Sequence, residues 1–509
     1  VVTELADILE GYQMALSFIA SNPTVIFTCL IGMLLGLVIG LLPGISGPSG
    51  VAILIPITFA MEPTVGIVML VSLYCASTFG GAITAILFNI PGDPQNACTT
   101  FDGFPLAKQG KAGKALGTAL AGGAAAGLLG TIILSLVAPP LAKVGLAFGP
   151  AEYFGLAIMG ISVISSLEAA SIWKNLTSGL LGLLIATIGI DPLTAYGRFT
   201  FGFSPLLQGI DFIIVVIGTF AITEVLCELE EKEEVKTTEI EATKVSIEFP
   251  SLKEWLAMKW DWLRSTAIGY FVGILPGIGA TTASFVSYSQ AINFSKHPEN
   301  FGKGELTGVL ASEAAGNAGA AGAMVPLLSL GIPGSATAAI LIGALTIHGI
   351  QPGPLMMTEQ KAMAFTIFLS MFITFLLIIG VGIWLVRFFA KIMEVDYSIL
   401  GPIVIILCII GVFTVRNSIY DVILALFFGV LGYFMRKFKY PTAPLIIGVV
   451  LGPLAEINFR RAFIISNYNI WAVFSRPIVA VLLLFSLGSM IYGFWSSYKR
   501  EQSKAKAGS

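Results

Sequence analysis

Residues 24–61 read TVIFTCLIGMLLGLVIGLLPGISGPSGVAILIPITFAM, without one Asp, Glu, Lys, Arg or His. A run of that length exceeds the roughly 20 residues a helix needs to cross a bilayer core. The rest of the chain agrees. Of its 509 residues, 56% are hydrophobic and 11% charged, against about 25% charged in soluble domains. Too few polar groups remain to cover a water-facing surface, so the solvent is lipid. The apolar runs are continuous and lack the alternation of barrel strands, which makes the spans helical. The expected fold class is an all-α polytopic membrane protein with about 10–12 transmembrane helices, together with Pro-Gly-broken helices and re-entrant hairpins.

Part of that stretch recurs. Gly36-x-x-x-Gly40-Leu41-Leu42-Pro43-Gly44-Ile45 is matched 233 residues later by Gly269-x-x-x-Gly273-Ile274-Leu275-Pro276-Gly277-Ile278. Gly80 and Ile90-Pro91-Gly92 are matched 242 residues later by Gly322 and Ile332-Pro333-Gly334. The expected division is therefore an N-terminal membrane repeat over 1–227, a charged cytoplasmic linker over 228–254, and a C-terminal membrane repeat over 255–509. The flanking charges reverse between the halves. Glu4, Asp7 and Glu10 precede the first repeat, whereas Lys253, Lys259 and Arg264 precede the second. Lys108, Lys111 and Lys114 come after the first hairpin region, against Lys361 in the second. Positive flanks stay cytoplasmic, so the repeats are expected to be inverted, with the N-terminus outside.

Each break has a physical meaning. Small residues four apart let helix backbones approach closely. Pro-Gly then stops the helix, since Pro removes a donor and Gly accepts turned backbone. The residues after each break read as a new helix start, with Ser46, Asp93, Thr281 or Ser335 as caps. Such starts present unpaired N–H groups and the positive end of the helix dipole, which suit an anion. Interrupted segments at corresponding positions of two halves point to a transporter site. The expected substrate-binding residues are Pro43, Gly44, Ser46 and Ser49 at the first break, and Asn89, Pro91, Gly92 and Asp93 at the second. Their counterparts are Pro276, Gly277, Gly279, Thr281 and Thr282, then Pro333, Gly334, Ser335 and Thr337.

Glu313 lies in an apolar Gly/Ala-rich run, where a charge costs about 2.5–3.5 kcal/mol on insertion scales. Asn317, four residues on, shares its helix face. With Asp93 they are the expected coupling-ion residues. No metal cluster is read; sodium near the broken helices, or a proton, is the expected ion. His348 reads as a satisfied interfacial histidine, and Asp191, Asp211 and Glu224 as water-facing residues near span ends. Trp255, Trp260 and Trp262 interleave with Lys259 and Arg264 as an interfacial anchor would.

Other classes fare worse. The five cysteines have no paired spacing and read as small buried hydrophobes. A net charge of −2 gives no footprint for nucleic acid, and the acidic start lacks the basic region of a signal peptide. Gly44-Ile45-Ser46-Gly47 matches an intramembrane serine protease motif, but Ser46 needs a base, and the chain has only His297 and His348. An anion channel also uses broken helices; paired breaks fit alternating access better.

Four segments carry a family resemblance: GLVIGLLPGISGPSG at 36–50, FGGAITAILFNIPG at 79–92, DGFPLAKQGKAGKALG at 102–117, and SEAAGNAGAAGAMVPLLSLGIPG at 312–334. Over nearly the whole chain it resembles TctA, the large membrane subunit of tripartite tricarboxylate transporters. The resemblance implies a multi-pass permease of the bacterial inner membrane, working with a small TctB-like membrane subunit and a TctC-like periplasmic solute-binding protein. It implies carboxylate uptake driven by an ion gradient, with no cofactor and no enzymatic step; the sequence also lacks a Walker-type loop. Asp93 departs from the small neutral residue expected after Ile-Pro-Gly. A carboxylate there competes with an anionic substrate for N–H groups. It admits a smaller carboxylate, an amine-bearing substrate or a tighter cation site.

Overall fold

The structure is a computed structural model that describes residues 2–42, 45–164, 172–230, 247–275, 279–392, 397–488 and 490–491. Pro43, Gly44, Pro276 and Gly277 of the predicted site, and 231–246 of the linker, lie outside the described residues. The all-α polytopic expectation holds. Seven helices among the described residues are long and apolar enough to cross a membrane, with five shorter apolar helices besides. The chain forms two compact units, Val1–Lys143 with Glu224–Gly411, and Val144–Thr223 with Val412–Ser509.

In the first unit, α1 (Val2–Ser21), α2 (Thr24–Leu41), α3 (Gly47–Thr58), α4 (Pro63–Phe88), α5 (Ala97–Lys108) and most of α6 (Ala112–Leu146) come from the first half. Next along the chain are α7 (Pro150–Ile164), α8 (Ile172–Ala186), α9 (Phe212–Val216) and α10 (Thr223–Glu230), the last two joined by a wide π-type turn. The second half then gives the first unit α11 (Leu252–Ile274), α12 (Gly279–Phe294), α13 (Leu306–Leu330), α14 (Ala336–Ile347), α15 (Pro354–Glu359) and α16 (Lys361–Ile392).

The sequence repeat is a packing repeat. Helix α2 packs on α4 as α11 packs on α13, through matched residues. A β-carbon at Gly40 would lie 2.2 Å from the Ser77 carbonyl oxygen, and one at Gly273 would lie 2.3 Å from that of Gly319. Gly40 and Gly273 are 233 residues apart, Ser77 and Gly319 are 242 apart, so both offsets read from the sequence recur at the contact. Only glycine permits that approach. Helix α4 is buried on all sides, and α13 is buried from Gly308 to Ser329. These two equivalent helices form the centre of the unit, which explains why neither shows an amphipathic stripe.

The second unit contains α7 to α9, α18 (Ile419–Lys437), α19 (Thr442–Ile465) and α20 (Ile470–Phe474), after α17 (Tyr397–Arg416). Helix α19 packs on α7 and α8. The expectation of water-facing acids is corrected by the burial of these residues. Asp191 and Glu224 are 5% and 3% exposed, and Asp211 is partly buried, pairing with Arg416 at 3.1 Å. Asp191 pairs with Arg460 at 2.6 Å, and that guanidinium holds its carboxyl well below the usual range. Arg198 and Glu456 complete the cluster. A carboxylate removed from water needs such partners, and they arrive from distant sequence.

Candidate functional site

The broken helices meet within each half. Helix α3 begins at Gly47, and its first N–H donates to Asp93 Oδ2 at 3.1 Å. Helix α12 begins at Gly279, where a β-carbon would lie 3.5 Å from Ser335 Cβ. The breaks also cross between halves: the turn Pro94–Asn96 packs on α12 and α13, and α14 packs on α3 and α4. Four helix ends thus converge within one unit, related by the repeat.

The predicted residues fall into place unevenly. Ser335 caps α14, accepting from Ala338 N at 3.1 Å. Asp93 makes no side-chain cap to the turn it precedes. Its carboxylate reaches α3, at the other break of the same half. Ser46 and Ser49 bring their hydroxyls to 3.2 Å; Ser49 is fully buried. Thr281 and Thr282 are partly exposed in the first turn of α12. Gly92 and Gly334 wedge against α4 and α13, near Gly81 and Ala323 respectively. Pro91 is exposed and Pro333 buried.

Asn89 has a backbone reason for its place. It ends α4 in the left-handed region with φ of 61°, and its repeat counterpart Gly331 ends α13 with φ of 73°. Asn is among the few residues other than Gly that adopt this conformation readily. Its side chain is exposed.

Behind the breaks lies a buried polar cluster. Glu313, 2% exposed on α13, accepts from Asn96 Nδ2 at 2.9 Å and from the Thr99 hydroxyl. Thr99 also meets the Ser312 hydroxyl at 2.9 Å. Asn96 donates its second amide hydrogen to the Thr78 carbonyl at 3.0 Å, leaving its own carbonyl oxygen without a partner. Asn317 accepts from the Thr78 hydroxyl at 2.7 Å and donates to the Glu313 backbone carbonyl at 2.9 Å. Glu313 and Asn317 therefore come together in a cluster that joins both halves through neutral groups. Among the described residues no group of three or more His, Cys, Asp or Glu is placed to hold a metal ion.

Sequence reasoning missed Asn96, Thr99 and Asp102, although their spacing of three puts them on one face of the turn and α5. All three are at most 2% exposed. Asp102 accepts from Gly304 N at 2.9 Å, Glu305 N at 2.8 Å and Tyr288 OH at 2.7 Å, tying α5 to α12 and to the start of α13. Asp102→Ala should lower stability by about 1–3 kcal/mol, since the buried Tyr288 hydroxyl is left unpaired, while the part-buried Gly304 and Glu305 N–H groups add less. Thermal unfolding of the purified protein in detergent measures this; an unchanged midpoint would show that the clasp is dispensable.

The two histidines serve elsewhere. His348 meets the Thr58 hydroxyl at 2.9 Å, as a satisfied histidine would, and His297 pairs with Glu299 at an exposed turn. Neither is a hydrogen-bond partner of Ser46. A cleft of about 660 Å³ lined by Glu10, Met14, Pro63, His348, Gln360 and Lys361 contains none of the predicted site residues.

Residues 26–447 match the family described as "Tripartite tricarboxylate transporter TctA family". The chain belongs to the TctA family. It is a component of a tripartite tricarboxylate transporter and a multi-pass membrane protein. It is similar to the "Uncharacterized 52.8 kDa protein in TAR-I ttuC' 3'region" of Agrobacterium vitis, 37% identical over 500 residues, covering 98% of both chains. It is also similar to the "Uncharacterized protein in TAR-II ttuC' 3'region" of the same organism, 38% identical over 236 residues, 46% of this chain and 98% of that one. No solved structure matches. The helix breaks and Glu313 all fall within the residues matched to the TctA family.

Proposed function

We propose that this TctA-family chain is the substrate-translocating subunit of a secondary transporter for an organic carboxylate. It works in the bacterial inner membrane, with a small TctB-like subunit and a TctC-like periplasmic binding protein that delivers the substrate. A sodium or proton gradient drives uptake, without ATP. One observation carries the reading: repeat-related helix ends converge beside a buried carboxylate, Glu313, whose bound hydrogen-bond donors are neutral. Helix starts supply N–H groups for an anion. A buried carboxylate without a fixed cation is suited to bind and release one. Inverted repeats would let one arrangement open to each side in turn.

The test uses proteoliposomes holding the chain and its small membrane partner, with the binding protein outside and labelled succinate or citrate as probes. Saturable accumulation under an imposed sodium or proton gradient, with counterflow, is the expected result. Linear flux without counterflow would favour a channel, and no flux with either probe would count against carboxylate transport.

A further inference from the structure

The connection from α8 to α9 reads GIDPLTAYGRFTFGFSPLLQG over residues 189–209, with two charges, Asp191 and Arg198. Both charges are already paired within the second unit, Asp191 with Arg460 and Arg198 with Glu456. Gly189–Ile190 and Gly197–Arg198 pair as a short antiparallel hairpin. Its turn satisfies its own backbone. Asp191 N donates to the Tyr196 carbonyl, Ala195 N to the Asp191 carbonyl, and Leu193 N and Thr194 N to Asp191 Oδ1. Residue 192 is Pro and has no N–H. The polar groups are thus tied inward while the rings stand out: Tyr196 is 76% exposed, Phe199 52% and Phe201 88%. Phe199 and Phe201 hold left-handed backbone, with φ of 51° and 49°. Bulky residues adopt that conformation only where their surroundings impose it. Loops ordinarily run through water, where exposed rings are unfavourable.

The neighbouring helix continues the apolar surface. Phe203 meets the Tyr420 ring edge-on, with centroids 5.3 Å apart, near the start of α18. From there Ile419, Ile423, Phe427, Val430 and Phe434 form one exposed stripe along that membrane-crossing helix. A second aromatic group closes its other end, where Phe434 packs on Tyr433 and Phe438, and Lys437 lies over the Tyr433 ring. Tyr420 and Phe438 stand 18 positions apart, about 27 Å of helix against roughly 30 Å of bilayer hydrocarbon. Aromatic rings mark those two levels of a membrane.

We propose that the 196–203 segment is a lipid anchor. Tyr196, Phe199 and Phe201 enter the boundary between headgroups and acyl chains of the leaflet on their side, and so set the depth of the second unit. Lipid is favoured over a protein partner on two grounds. The rings continue the exposed stripe of α18, one hydrocarbon thickness from the aromatic group at its far end. Both charges of the loop are held by α19, which leaves apolar surface for the contact. The closed turn also brings no unpaired N–H from residues 191–195 to that boundary. Uncharged lipid surface therefore suffices, and the anchor is independent of which substrate or coupling ion the chain uses.

Nitroxide labels on Phe201→Cys and Tyr196→Cys test it, in the full chain reconstituted in phosphatidylcholine vesicles. Relaxation of each label by oxygen, which enters the bilayer, is compared with relaxation by a water-soluble nickel complex. Wild-type protein treated alike is the blank for the native cysteines. His297→Cys, at an exposed polar turn, is the water-facing control. Tyr196 lies outside the left-handed positions, so its variant carries the test if Phe201→Cys fails to fold. The loop labels should show an oxygen-to-nickel ratio several-fold above that of the His297 label. Ratios equal to the control, in vesicles of the chain alone, overturn the proposal. So does shielding from nickel that appears only when the small membrane subunit or the binding protein is added, which would make the loop a protein-docking surface.

Discussion

Uptake is expected to fall to background in Gly92→Val and Gly334→Val, with the Gly92 variant the more severe. A β-carbon on Gly92 would lie 1.9 Å from the Gly40 carbonyl oxygen and 2.6 Å from Gly81 Cα. Both are backbone atoms of the packed pair α2 and α4, so neither can turn aside. On Gly334 the nearest atom is Ala323 Cα at 2.7 Å. Overpacking in an ordinary core costs about 1–3 kcal/mol, and displacing two helix backbones costs more. Even Gly92→Ala should lose most activity, because the first side-chain atom makes the clash. Gly380→Ala is the control, since nothing lies within 4 Å of a β-carbon there. Uptake per inserted molecule, with insertion measured separately, decides the matter. Near-normal transport by Gly92→Val would show that the second break does not need this close approach.

The repeat was legible because its residues are scarce types in fixed order. Pro-Gly after Gly-x-x-x-Gly can be aligned by eye, and the structure returns the same offsets in the contacts of Gly40 and Gly273. Helices that are apolar along their length, such as α4 and α13, were equally readable. Helix α12 was not readable as an apolar span, because Thr281, Thr282, Ser284, Ser287, Tyr288 and Gln290 interrupt its hydropathy. Three of those hydroxyls face protein, with Ser284 donating to the Ser312 carbonyl, Ser287 to that of Ala311 and Tyr288 to the Asp102 carboxylate. The second half of α19 was hidden in the same way by Glu456, Arg460 and Arg461, of which Glu456 and Arg460 belong to an ion-pair cluster. Hydropathy assumes that polar side chains seek water; in a helix bundle they can be satisfied by partners remote in sequence.

The site was legible to the same depth. Glu313 and Asn317 stood out as polar residues in an apolar run, and Asp93 as a departure within a repeat. Which groups they meet did not stand out, because Asn96, Thr99 and Thr78 lie over two hundred residues from Glu313 and Asn317 and are ordinary helix residues on their own. Asn89 shows the reverse. Its place before Ile-Pro-Gly suggested a substrate or backbone hydrogen-bond partner, and its equivalence to Gly331 adds that it ends a helix in left-handed backbone.

Glu313→Gln should separate coupling from translocation. Glutamine keeps the size of the side chain and an acceptor oxygen but loses the charge and the titratable proton. That oxygen can still accept from Asn96 and Thr99, the groups that hold Glu313 in place. The amide also brings two donors into a cluster that already has an unpaired oxygen on Asn96, so the fold should tolerate the change. If Glu313 binds the coupling cation or carries the proton, gradient-driven accumulation should be lost. Substrate exchange should be partly retained, because exchange need not complete the coupling-ion cycle. A carboxylate that only braces α5 against α13 predicts another pattern: lower thermal stability, with accumulation and exchange reduced in parallel. Both activities, measured in proteoliposomes at equal protein with imposed sodium or proton gradients, distinguish the two. Whichever gradient loses its effect in the variant identifies the ion. Unchanged gradient dependence in well-folded Glu313→Gln protein would remove this residue from coupling and move the search to Asp93, the other carboxylate at the breaks.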